Sequence, residues 1–311
     1  MLPAITSPDR DALKTPPSKA VRLRGPAVTH TELHRAVLRD NVDLVRRVLL
    51  RGAGPWGHAN ARDWWGRTPL HRACERGHVS ILVELITRGG ADPNIPEKQW
   101  LRAPLHLASE RNLIEVAAVL LAHGADPNRV DRQSYTPLML ATYAGHAGMC
   151  ELLLEAGTHV DTRNNEDLTP LHVACRDGHV AIVRLLCDVR ARPNNNADVD
   201  ATAISKDGIT SPLHLACESG HADIVCKLLA QSADVSVRDH RGWAPLHVTA
   251  WHARIGAARE LLAHPTCNLT AQNKQLETPY DLIKRRKRSL KRKKKHATKG
   301  GNETNASPQA A

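Results

Sequence analysis

A six-residue pattern, Thr-Pro-Leu-His-x-Ala, returns along this 311-residue chain and constrains its fold more than any other feature. It reads TELHRA at 31, TPLHRA at 68, APLHLA at 103, TPLMLA at 136 and TPLHVA at 169. It continues as SPLHLA at 211, APLHVT at 244 and a degenerate TPYDLI at 278. Three of the seven steps are 33 residues long; the others, 37, 35, 42 and 34, imply insertions of four, two, nine and one residue. A period of this length marks a unit that cannot bury its own apolar face and stacks on copies of itself.

The fifth unit shows the local logic. Pro170 suits the first turn of a helix, where its missing N–H costs nothing. Gly178 ends that helix, because glycine takes the left-handed cap conformation cheaply. A second helix follows with Ile182, Val183, Leu185 and Leu186 on one face. Helices this short are marginal alone, so stability has to come from neighbouring units.

The TPLH motif, the Gly-His or equivalent after each copy, apolar runs such as IVRLL and the closing Gly124-Ala125-Asp126 resemble the ankyrin-repeat family over about 255 of the 311 residues. The resemblance implies an all-α solenoid of helix-turn-helix pairs joined by β-hairpin loops, acting as a monomeric protein-binding array. The expected divisions are a disordered segment at 1–28, the array at 29–286 with seven full repeats and a half-repeat cap, and a basic, disordered tail at 287–311. The nine-residue insertion predicts an enlarged, flexible hairpin within 191–208. Arg35, Arg39, Arg46, Arg47 and Arg51 load the first repeat with the charge that a solvated end requires.

His172, Cys175 and His179 raise the question of a metal, since spacings of three and seven share a helix face and both residue types ligate zinc. The triplet recurs at His71, Cys74, His78 and at His214, Cys217, His221. Gly178, however, breaks the helix between Cys175 and His179, and the same slots elsewhere hold Met139, Thr142 and His146. No metal or cofactor is expected. Ten of the eighteen histidines occupy two repeat slots, where the resemblance implies hydrogen bonds within and between repeats for the TPLH histidine. For the later Gly-His it implies help in starting the second helix.

Seven cysteines without a C-x-x-C pair, and an N-terminus MLPAITSPDRDALKTPP with no apolar signal core, point to a reducing intracellular compartment. The sequons at Asn268, Asn302 and Asn305 are then not expected to carry glycans. No run reaches the length of a membrane span. There is no phosphate-cradling glycine loop, no H-E-x-x-H and no G-x-S-x-G, so no catalytic residue is assigned.

Net charge is +11, but residues 284–295, KRRKRSLKRKKK, hold ten Lys or Arg and no acid; without them 33 basic residues face 32 acidic ones. Lys284, Arg285, Arg286, Lys287, Arg288, Lys291, Arg292, Lys293, Lys294 and Lys295 are therefore expected to form a nuclear import signal read by a carrier. A phosphate on Ser289 would oppose that reading. The alternative is a nucleic-acid-associated factor whose tail grips RNA or DNA while the repeats recruit proteins.

The aromatics carry the sharpest functional signal. The chain has no Phe, six Trp and three Tyr. The resemblance implies that partners meet the hairpin tips before TPLH and the exposed end of the first helix. With Thr68 as zero, these are slots −4, −3, −1, +7 and +8. Trp64 and Trp65 fill −4 and −3, Trp100 fills −3, and Tyr135/Tyr143 and Trp243/Trp251 fill −1 and +7. All seven are expected to be at least partly exposed along one side, as binding anchors. Arg67, Arg102, Glu110 and Arg176 share the slots and are expected to steer or clamp the partner. Trp56 could extend the first patch. Trp243 and Trp251 could also wall an aromatic cage for methylated lysine, although the adjoining repeat offers only Glu218 and no third ring. The function expected of the chain is that of a non-enzymatic nuclear scaffold or adaptor that binds a peptide or protein partner on the concave face of the array.

Overall fold

Proline opens every TPLH-type helix after the first, and glycine closes four of them, at Gly77, Gly145, Gly178 and Gly220, which cuts the chain into short helices. The computed structural model describes residues 31–51, 59–187, 197, 198, 200, 203–205 and 208–300. Its helices come in pairs: α1 (Glu32–Leu38) with α2 (Val42–Leu50), α3 (Pro69–Arg76) with α4 (Val79–Thr87), and α5 (Pro104–Glu110) with α6 (Ile114–Ala122). Then follow α7 (Pro137–Ala144) with α8 (Ala147–Glu155) and α9 (Pro170–Asp177) with α10 (Val180–Leu186). After a two-stranded antiparallel hairpin, β1 (Ala203–Ser205) and β2 (Gly208–Thr210), come α11 (Pro212–Ser219) with α12 (Ala222–Ala230) and α13 (Pro245–His252) with α14 (Ile255–Ala263). A last helix, α15 (Pro279–Gly300), is followed by no second helix among the described residues.

Each first helix packs on the first helices before and after it, and each second helix does the same in its own row. The result is a two-layer solenoid. The TPLH leucines Leu33, Leu70, Leu105, Leu138, Leu171, Leu213 and Leu246 lie buried between the layers with Ile81, Leu120, Leu153, Ile182, Ile224 and Leu261 of the second row. Cys74, Cys175 and Cys217 are wholly buried among them, and burial pushes their thiols up, out of the reactive range. Among the described residues no cluster of His, Cys, Asp or Glu is arranged to hold a metal ion, and no helix is long and apolar enough to cross a membrane.

The TPLH histidines lock the stack. The Thr68 N–H donates to His71 Nδ1 at 3.1 Å, so Nε2 carries the proton and donates to the Arg102 carbonyl of the next repeat at 3.2 Å. His34, His106, His214 and His247 reach the carbonyls of Arg67, Tyr135, Trp243 and Glu277 at 2.9–3.2 Å. Burial drives His71 and His106 down to about 3, which keeps both rings neutral and the tautomer fixed.

The second histidine slot departs from expectation. His78, His146, His179 and His221 stand at the N-caps of the second helices but make no side-chain cap bond. They face the preceding repeat instead. His146 Nε2 bonds the Glu110 carbonyl at 3.1 Å. His221 lies over Gly178, where a Cβ would stand 2.6 Å from the imidazole and the φ of +84° already excludes most residues. Glycine of one repeat and histidine of the next are thus one joint.

The C-terminal expectation also changes. Helix α15 continues through the basic block to Gly300, where a disordered tail was expected from 287. Thr278 and Asp281 close a capping box at its start, at 2.7 Å between Oγ1 and Oδ2 with the Asp281 N–H returning to Oγ1 at 3.3 Å. Lys and Arg are good helix formers, and no Gly or Pro interrupts the run before Gly300. Trp56, residues 1–28, most of the 191–208 insertion and 301–311 lie outside the described residues.

Candidate partner-binding face

The hairpin tips are shaped by an Asp or Asn five residues before the TPLH threonine. Asp131 Oδ1 accepts the N–H groups of Gln133 and Tyr135 at 2.8 and 2.9 Å, while its own N–H donates to the Tyr135 carbonyl. Asn164, Asp239 and Asn273 repeat that arrangement. Adjacent tips are zipped by single backbone bonds, Lys98 N–H to Trp65 and Arg132 N–H to Trp100. At Arg67, Tyr135 and Trp243 the −1 N–H is therefore held by the Asx side chain and the carbonyl by the preceding histidine. At Arg102 His71 holds the carbonyl, while Lys98 stands where the other tips have the Asx. The backbone at these −1 positions is pinned at the foot of the first helix.

That placement brings −1 within reach of +7, eight residues on. Arg67 pairs with Glu75 and also with Glu97, which is 1% exposed. Arg102 pairs with Glu110 at 3.0 Å and with Asp131 at 3.3 Å. Trp243 meets Trp251 edge-to-face, with centroids 5.8 Å apart. Glu277 meets Arg285 at 2.9 Å. Arg72 at +4 strengthens the first rung, bonding Asp63 at 2.6 Å and Glu75 at 2.9 Å beneath the Trp65 ring. Burial pushes the Asp63 carboxyl up, but hydrogen bonds from Arg72 and Arg67 outweigh it and hold the group below its ordinary value. In the fourth repeat the two slots diverge. Tyr135 packs on Met139 and Leu140, and Tyr143 turns to Leu168 and Val173, with Arg176 6.0 Å from its ring.

Exposure then sorts the expected anchors by slot. Trp64 is 64% exposed and Trp65 41%, while Trp100, Tyr143 and Trp251 are half-buried. Tyr135 and Trp243 are buried, against the expectation that all seven rings meet solvent. The cause is the fixed −1 backbone, which turns both rings inward. Arg102 is buried too; Arg67 is paired with Glu75 and Glu97, and Arg102 with Glu110 and Asp131, so none of Arg67, Arg102 and Glu110 is a free clamp. Arg176 is bound to Asp177 at 3.1 Å. The cage reading fails similarly, because Arg241 already lies 5.4 Å from the Trp243 ring and Arg285 5.3 Å from Trp251. The signal that would have revealed this was the eight-residue complementarity of Arg67/Glu75, Arg102/Glu110 and Glu277/Arg285.

One tip side chain stands out beyond the expected anchors. Leu101, 42% exposed, sits at a tip with φ +57° where the second and seventh repeats use Gly66 and Gly242. The first residues of the basic block, inside the array bounds of 29–286, lie against the last repeat: Lys284 lies 4.3 Å from the Tyr280 ring, and Arg285 bridges Glu277 to Trp251.

The family model described as Ankyrin repeats matches in three copies, at 33–131, 105–203 and 194–273. Curated relatives include Rabankyrin-5 of Mus musculus, 45% identical over 42 residues, and Rabankyrin-5 of Homo sapiens, 43% identical over 42 residues. Each alignment covers 14% of this chain and 4% of the relative. The likeness is confined to little more than one repeat of a much longer protein.

Proposed function

The chain belongs to the ankyrin-repeat family, whose repeats are generally protein-interaction modules, and on that premise we propose that it is a non-enzymatic scaffold. It binds a peptide or protein across the hairpin tips and first helices. The observation that carries this reading is the exposure of Trp64 and Trp65 at adjacent tip slots, while Tyr135 and Trp243 at −1 are drawn into the array. Exposed tryptophans on a rigid frame are efficient binding anchors. A photo-crosslinking residue at Leu101 of the full chain, expressed in cells, should give discrete adducts that are absent with the crosslinker at Glu151 on the second-helix row. Trp64→Ala/Trp65→Ala should reduce those adducts by about thirtyfold, the equivalent of a hot spot of about 2 kcal/mol. Equal adducts from both positions would contradict the reading.

The proposal includes nuclear import through the ten Lys and Arg of 284–295. A fluorescent fusion with 287–295 replaced by Gly and Ser leaves Arg285 in place to hold the last repeat. It should lose nuclear accumulation; an unchanged nuclear signal would sink this part.

A further inference from the structure

One charge row on this face remains unspent. At slot +8 stand Arg39, capping the C-terminus of α1, Arg76, the last residue of α3, and Arg111, capping the C-terminus of α5, all exposed. Among the described residues Arg39 and Arg76 meet no carboxylate, and Arg111 gives one N–H to the Glu75 carbonyl at 2.6 Å. The nearby acids are already taken: Asp63 and Glu75 by Arg72, Glu97 by Arg67, Glu110 by Arg102. The row then stops, with Ala144 in the fourth repeat and Asp177 in the fifth. Charge on the whole chain segment follows suit. Residues 31–112 hold thirteen Lys or Arg against nine Asp or Glu, and residues 113–190 hold six against ten. A neutral array is therefore split into a positive first part and a negative middle.

We infer that the first three repeats bind an acidic segment in polyproline-II conformation, its carboxylates spaced three residues apart to meet Arg39, Arg76 and Arg111 in turn. The inference rests on the reading of this face as a protein-binding surface and names the chemistry of its partner. Helices α1, α3 and α5 pack side by side, which sets their axes about 8–10 Å apart. A polyproline-II strand has three residues per turn and rises about 3.1 Å per residue, so every third side chain shares a face at about 9 Å. A β-strand brings same-face side chains back at about 6.6 Å, which misses the spacing. Polyproline-II segments dock on aromatic-lined surfaces, and Trp64 and Trp65 are exposed at the tips of the same repeats, with Leu101 exposed at the next tip.

The test uses fluorescein-labelled peptides of one composition, rich in proline with three glutamates, titrated into the full chain by fluorescence anisotropy. One peptide carries Glu at i, i+3 and i+6; the other carries the three in a row. The basic block at 284–295 attracts both alike, so the difference between them reads the array. The spaced peptide should bind on the order of tenfold tighter, as three exposed ion pairs allow. Arg39→Gln/Arg76→Gln/Arg111→Gln should erase that difference. Because Arg111→Gln also removes the bond to the Glu75 carbonyl, two further variants are needed. Arg111→Lys alone should keep most of the preference, and Arg39→Glu/Arg76→Glu/Arg111→Glu should prefer a Lys-spaced peptide. Equal affinity for both arrangements, or a preference that survives the triple Gln variant, overturns the inference. So does displacement of the spaced peptide by uridine homopolymer RNA with the same arginine dependence, which would assign the row to nucleic acid. Adducts at Leu101 without a spacing preference here overturn the acidic-segment inference alone. Absence of any adduct at Leu101 removes the binding surface itself.

Discussion

The third and seventh repeats fill the same two slots with opposite chemistry. In the third, Arg102 at −1 reaches Glu110 at +7 and Asp131 behind it; in the seventh, Trp243 meets Trp251. Both partners at −1 are buried to a similar degree, Arg102 at 7% and Trp243 at 6% exposure. The backbone decides this, because in both repeats the −1 carbonyl is held by the preceding histidine, His71 or His214. A tryptophan at −1 is therefore structural, while Trp64 at −4 stands in water. Slot, more than residue type, separates buried framework from exposed surface.

The comparison breaks most visibly if its buried members are removed. Trp243→Ala should cost about 3–5 kcal/mol, measured by urea unfolding, since it deletes a buried ring and strips the edge contact from Trp251. The loss should fall first on the C-terminal repeats, because a solenoid couples only neighbours. Arg102→Ala should cost about 3 kcal/mol by leaving Asp131 buried without its cation. A cost below that of an exposed pair would mean the rung is not truly desolvated. Arg285→Ala, whose side chain is half exposed, should cost no more than about 1 kcal/mol.

Acid should act on the joints shared by both regions. His71 and His106 take a proton only near pH 3 when folded, against an ordinary 6.5 when unfolded. Between those values the unfolded chain binds more protons, so stability is fully present above 6.5 and falls as pH drops toward 3. The first pH unit below 6.5 should remove about 1 kcal/mol per buried histidine. A melting temperature that stays flat from pH 7 to pH 5 would contradict the neutral-histidine frame.

The architecture was legible because punctuation repeats: Pro170 and Gly178, and their equivalents, mark helix ends whatever lies between them. The tip slots were legible too, which is why Trp64 and Trp65 were found. What periodicity did not carry was the direction of each side chain. Tyr135 and Trp243 looked like Trp64 in the sequence, and only the two hydrogen bonds that fix the −1 backbone turn them inward. Likewise Arg67 and Arg102 read as free charge until their partners eight residues on were brought alongside. Helix α15 is less legible at 287–300, because a dense run of like charge points to a disordered tail, although its composition favours helix once Thr278 and Asp281 start it.

The most direct test pairs one stability readout with one binding readout on the two kinds of tryptophan. Trp64→Ala/Trp65→Ala and Trp243→Ala are each measured for melting temperature and for crosslinked adduct at Leu101 per folded molecule. The tip variant should melt within about 0.5 kcal/mol of the parent, as exposed substitutions do, yet lose its adducts. The Trp243 variant should melt early and, where folded, keep them. If the tip variant unfolds while its adducts persist, or Trp243→Ala abolishes adducts with no loss of stability, the division between framework and binding surface is wrong.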